Sequence, residues 1–144
     1  NRGLWLNIAS VFKRSGELEQ NIEIEVSCLD KTWFIDLDGT VLKHNGFDSK
    51  EELLPGVKEF FSKNIRDNDV VIFTTARRGS LSTSTKEFLK NNDIRFDQII
   101  FDLPGGERFV LNDNKPSGLK TAFAINLVRD EGLKNININL NKEL

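Results

Sequence analysis

Two aspartates, Asp36 and Asp38, stand two apart in the run FIDLDGTVL, directly after an apolar stretch and directly before Gly39. A carboxylate at the carboxyl end of a buried strand is held rigidly enough to act as a covalent nucleophile, taking a phosphoryl group from a phosphate ester as an aspartyl phosphate. The second acid, Asp38, is placed to protonate the departing alkoxide and then to deprotonate the water that cleaves the acyl phosphate. A divalent cation beside Asp36 would neutralise the phosphoryl oxygens and let two anions approach; a site with oxygen ligands only suits Mg2+. The competing explanation is a plain Asp-Gly turn, which is common wherever a chain reverses. A turn, however, requires neither Asp36 nor the apolar run before it.

The elements that must position these acids follow from hydrophobic periodicity. TWFID, from Thr32, is apolar without alternation, as expected of a central strand buried on both faces. After a polar loop, Pro55 fits the first turn of a helix whose Val57, Phe60 and Phe61 face a core, ending near Asn64. DVVIFTT, Asp69 to Thr75, is the parallel partner strand, followed by a serine-rich helix start and an amphipathic stretch through Phe88 and Leu89. Further strands are predicted at Gln98 to Phe101, Phe109 to Leu111 and Ala124 to Leu127, with a helix around Leu119 to Phe123. Alternating strands and helices predict an α/β, doubly wound, Rossmann-like parallel sheet, with ligands beyond the carboxyl ends of its strands. The loops starting at Asp36, Thr75 and Asn112 should therefore carry the chemistry. Ahead of this unit, Leu4, Ile8, Val11 and Phe12 recur at helical spacing, closed by Ser15 and Gly16, and Ile22, Ile24 and Val26 alternate with glutamates as in a peripheral strand. The asparagine-rich tail from Asn135 reads as a loosely packed end.

At 144 residues and 38% hydrophobic content the chain is long enough for one compact domain with a real core. Twenty basic against 22 acidic side chains leave a net charge of -2, which gives no global field toward nucleic acid or an anionic membrane. Any anion must be held locally. One cysteine, Cys28, excludes an internal disulfide and fits a reducing compartment. No apolar run reaches the length of a membrane span, and no secretory signal is present, so the expectation is a soluble, cytoplasmic protein.

The run Asp36-Leu37-Asp38-Gly39-Thr40 at a strand end resembles the first signature of the haloacid dehalogenase superfamily. In that family the next core strand closes on a threonine or serine whose hydroxyl holds a phosphate oxygen. VIFTTAR supplies Thr75, with Thr74 the competing assignment, followed by Ala76 and Arg77. The resemblance implies that Gly39, Thr40, Ala76 and Arg77 line the substrate. It also implies that Asp113, in FVLNDNKP, completes a Mg2+ site with Asp36 and Asp38. The family's phosphate-bridging lysine lies upstream of that last acid, and here the sequence departs. The only cations between Asp93 and Asp113 are Arg95 and Arg108, so the role falls to Lys115 or to an arginine. Further likeness, in DGTVLKHNG, ELLPGVKEFF and LNDNKPSGLKTAFAINL, is to small phosphatase-like members of the superfamily.

The expectation is thus an N-terminal extension over 1-30 and a haloacid dehalogenase-like phosphatase domain over 31-144 without a large cap domain. Only a flap around Val41 to Asp48, bearing the single histidine His44, could cover the site. The substrate would be a phosphorylated small molecule or polymer: a sugar phosphate, a nucleotide or something larger. A homodimer is compatible; a membrane or nucleic-acid partner is not indicated. Two alternatives stay open, a catalytically degenerate phosphate- or metal-binding module and the phosphatase domain of a longer protein.

Overall fold

A computed structural model of the chain describes residues 8–12 and 18–144. In chain order the elements are β1 (Ile8–Phe12), β2 (Leu18–Val26), β3 (Thr32–Asp36), α1 (Val57–Asn64), β4 (Val70–Thr74), α2 (Ser82–Asn91), β5 (Gln98–Ile100) and β6 (Ile136–Leu140). The architecture is α/β, with parallel strands in two three-stranded sheets, ordered β1-β2-β6 and β3-β4-β5. Among the described residues no helix is long and apolar enough to cross a membrane.

The sheet of β3, β4 and β5 is parallel throughout, with Asp36 in register with Thr74 and Phe34 with Ile72. Both crossovers step the same way across it, and right-handed crossovers then bring both helices to one face. That face is buried. Ile35, Val71 and Phe73 lie in the core with Val57, Phe60 and Phe61 of α1 and Leu89 of α2. A column of rings runs through it, from Trp33 edge-on to Phe60 at 5.6 Å, through Phe61 and Phe73, to Phe96. The opposite face is bare: Phe34 is 56% exposed, and Val70 and Ile100 are exposed beside it. β3 is therefore buried on one face, not on both, because no element follows that crosses back to the other side.

The other sheet revises the reading of both chain ends. Ile8–Phe12, predicted as part of a helix, is a strand antiparallel to β2, with Ile8 opposite Ile22 and Phe12 opposite Leu18. Its β-branched and aromatic residues suit a ladder once β2 offers an edge. Leu4, Ser15 and Gly16 of that predicted helix lie outside the described residues. The tail read as loosely packed is β6, parallel to β2, with Ile22 opposite Ile136 and Ile24 opposite Ile138. Asparagine disfavours strands in general, but here the amides of Asn137 and Asn139 donate to Glu23, and that of Asn141 donates to Glu25. The isoleucines of the other face join the common core. β2 is thus the centre of a sheet, and the 1-30 extension is tied to the far end of the chain.

Residues 101–129 contain neither helix nor strand. The predicted strands at Phe109 to Leu111 and Ala124 to Leu127 and the helix around Leu119 to Phe123 do not form. Local side-chain bonds replace the ladder: Thr121 Oγ1 donates to the Asp113 carbonyl, and Asn112 Nδ2 donates to Thr121 Oγ1. Gly118 closes a turn on Lys115 immediately before the predicted helix. Phe109 and Leu111 are left exposed.

Candidate active site

β3 ends on Asp36, and the chain then makes a tight loop. The amides of Thr40, Val41 and Leu42 all donate to the Leu37 carbonyl, and the Gly39 amide donates to Leu42. Leu37, Val41 and Leu42 are fully buried, so the loop is anchored by its apolar side chains. Gly39 sits at φ +88°, a conformation that favours a residue without Cβ. Because the Gly39 and Thr40 amides are consumed inside the loop, these two residues shape it and do not offer amides to a ligand. Thr40 contributes its side chain instead: its hydroxyl donates to Asp36 Oδ2 at 3.2 Å.

Asp36 keeps 40% of its side chain exposed at the strand end, and Arg108 reaches it, Nη2 lying 3.8 Å from Oδ1. Burial pushes the Asp36 carboxyl above its ordinary pKa; the Thr40 hydroxyl and the Arg108 charge pull the other way, and Asp38 adds repulsion. Arg108 arrives on the segment after β5, which is fastened to the loop after β4. The Asp102 amide donates to the Arg77 carbonyl, and the Leu103 amide donates to the Thr75 carbonyl. The cation beside the candidate nucleophile is therefore Arg108. Lys115, the expected bridging residue, is exposed in the turn of the 112–121 loop.

Asp38 is held by Arg77, which the sequence assigned to substrate. Arg77 is buried, and all five of its N–H donors are used. Nε and Nη2 donate to Asp38, Nη1 and Nη2 donate to Glu51, and Nη1 also donates to Thr85 on α2. Phe47 of the flap lies over the guanidinium, 5.0 Å from ring centroid to Cζ. Burial opposes the Arg77 charge, yet the hydrogen bonds it donates to Glu51 and Asp38 outweigh that and raise its pKa above its ordinary value. Arg77 is thus an internal clamp that joins the Asp38 loop, the flap and α2. No guanidinium donor is left for a substrate, which corrects the substrate-binding assignment.

The two threonines separate. Thr74 is the register partner of Asp36. Thr75 is fully buried, and its hydroxyl oxygen accepts from the Arg77 amide at 3.0 Å. Thr74 therefore sits directly beside the nucleophile position, and Thr75 supports the clamp. Ala76 is exposed at the turn between them and Arg78. Arg108 is one of the arginines the sequence left open for the bridging role, whereas Glu51 escaped the sequence reading because it belongs to no recognisable local pattern; each reaches the site through tertiary packing of a loop.

Asp113 does not join Asp36 and Asp38 in one cluster of acids. Among the described residues no group of three or more His, Cys, Asp or Glu side chains is placed to hold a metal ion. Asp36 is open, Asp38 is committed to Arg77, and Asp113 lies exposed in the 112–121 loop. His44 stays on the flap, its amide donating to Asp130, and its Nδ1 has no partner. No family model, no curated protein and no solved structure matches the chain.

Proposed function

We propose that the chain is a phosphate-ester hydrolase of the haloacid dehalogenase type that works through an aspartyl phosphate on Asp36. The observation that carries this reading is the pair at the end of β3: a strand-end carboxylate, open to solvent and steadied by Thr40, with the Arg108 guanidinium 3.8 Å away. A phosphate ester arriving there meets a fixed nucleophile and a cation able to take its oxygens, so electrostatic stabilisation is built in before the reaction starts.

In the first half-reaction an Asp36 oxygen attacks phosphorus. The bond to the leaving oxygen breaks, and the alkoxide takes the proton that Asp38 carries in its acid form at this step. Oδ2 suits that transfer, since it accepts only from Nε of Arg77, whereas Oδ1 accepts from both Nε and Nη2. In the second half-reaction water attacks the aspartyl phosphate, returns a proton to Asp38 and releases inorganic phosphate, freeing Asp36. The magnesium implied by the family resemblance fits this donor set poorly, because Asp38 is committed to Arg77 and Asp113 does not join Asp36 in a cluster of ligands. The steps above therefore use only side chains of the chain.

The test is phosphate release from a panel of phosphorylated metabolites, with and without Mg2+ and chelator, for the wild type and Asp36→Asn. Turnover abolished by Asp36→Asn supports the reading; turnover that survives it ends the reading. A second reading, a phosphate-binding module without turnover, draws support from Asp113 standing apart from Asp36 and Asp38. Phosphate binding weakened by Arg108→Gln, with no hydrolysis of any ester, would select it.

A further inference from the structure

The segment after residue 128 returns to the nucleophile loop and fixes one more arginine there. The Asp130 amide donates to the Gly39 carbonyl at 2.9 Å, and the Asp130 carboxylate accepts from the His44 amide at 2.8 Å, so the chain at this point is pinned to both the loop and the flap. Arg129, immediately before it, lays its stem on Gly39. A Cβ built on Gly39 would lie 3.2 Å from Arg129 Cγ and 3.8 Å from its Nε. That stem covers Gly39, which is buried, while Arg129 as a residue stays exposed.

The other arginines around the site have acidic partners. Arg77 is saturated by Asp38 and Glu51, Arg108 meets Asp36, and Arg78 lies 4.0 Å from Asp102. Arg129 forms no ion pair or hydrogen bond with another described residue. An unpaired guanidinium whose stem lies over Gly39, a residue three along the chain from the candidate nucleophile, is positioned to take an anion beside that site.

We infer that Arg129 is a specificity residue, which engages a second phosphoryl group of the substrate while the first sits between Asp36 and Arg108. This rests on the reading of Asp36 and Arg108 as the phosphate site. It narrows the substrate class to compounds carrying two neighbouring phosphoryl groups, such as diphosphate esters or bisphosphates, over monophosphates.

The experiment is calorimetric titration of the full chain with inorganic phosphate and with inorganic pyrophosphate. Pyrophosphate should bind the wild type more tightly than phosphate. Arg129→Gln should reduce that ratio by about tenfold, the loss of one charge-assisted hydrogen bond. Arg129→Lys should reduce it less. Lys58→Gln, the same charge change on the exposed side of α1, should leave the ratio as it is. A ratio unchanged in Arg129→Gln, with phosphate binding still weakened by Arg108→Gln, overturns this inference and spares the functional reading. Failure of the wild type to bind either anion overturns both.

Discussion

Replacing Arg77 by alanine removes five N–H donors from between two carboxylates that have little other compensation. The side chains of Arg77, Asp38 and Glu51 are 1%, 17% and 18% exposed. Removing one member of a buried ion pair strands its partner's charge, at a cost of about 3–5 kcal/mol. Here one deletion strands two carboxylates and also frees Thr85 and Phe47, so the upper part of that range is expected. Against a total stability of about 5–15 kcal/mol for a domain, this is a large fraction. At roughly 2–4 °C per kcal/mol for a chain of this size, the melting temperature should fall by roughly 10–20 °C. Arg77→Lys keeps the charge but cannot fork two carboxylates at once, and should recover less than half of the loss. Urea and thermal unfolding followed by circular dichroism measure both variants. An Arg77→Ala chain within about 1 kcal/mol of the wild type would refute the clamp, whatever the activity.

Other expectations follow from single contacts. Asp69 is buried and accepts from Trp33 Nε1 and from the Lys31 and Arg66 amides. Burial opposes its ionisation, but those hydrogen bonds prevail and hold its pKa below the ordinary value of 3.8. Its stabilisation is therefore present above that value and lost as pH falls through the lower folded-state value; urea titrations from neutral to acid pH should show the gap between wild type and Asp69→Asn closing on the acid side. Asp36 has the opposite sign: with its folded-state pKa raised, its contribution is present below the ordinary 3.8 and lost as pH rises through the folded value. Asp36→Asn should accordingly be at least as stable as the wild type at neutral pH by thermal melting, while losing phosphate release. Gly132 sits at φ +78°, and a Cβ there would collide with the Pro55 carbonyl. Gly132→Ala should cost about 3 kcal/mol or more in urea unfolding, because both the backbone strain and the clash with fixed backbone must be relieved.

Legibility differed between the two halves of the structure. β3, α1, β4, α2 and β5 were readable because each carries its own period: the apolar runs TWFID and VVIFT, and Val57, Phe60 and Phe61 on one helical face. The position of Asp36 at a strand end was readable for the same reason. What the sequence hid was set by partners distant along the chain. Ile8–Phe12 has both a helical and a strand-compatible pattern, and the edge of β2 decides between them. The alternation Ile-Asn-Ile-Asn of β6 was masked by its composition, since an asparagine becomes a good strand residue only beside the carboxylates of Glu23 and Glu25. Arg77 stood in a recognisable place, but its role depended on Glu51, 26 residues away, whose placement no local pattern encodes.

The pairing of β2 with β6 has a consequence for the order of assembly. Asn137 bonds Glu23 across a separation of 114 residues, and all three strands of the other sheet, β3, β4 and β5, lie between them. During synthesis β3, β4 and β5 can pair through short crossovers as soon as they emerge. β2 must wait for the last described strand before its parallel edge is covered. Until then Ile22 and Ile24 lack the isoleucines that oppose them, and β2 presents an open edge to any other extended chain. Closing the first sheet is thus the last strand pairing that synthesis makes available, and chaperone protection should matter most in the interval before residues 136–140 leave the ribosome.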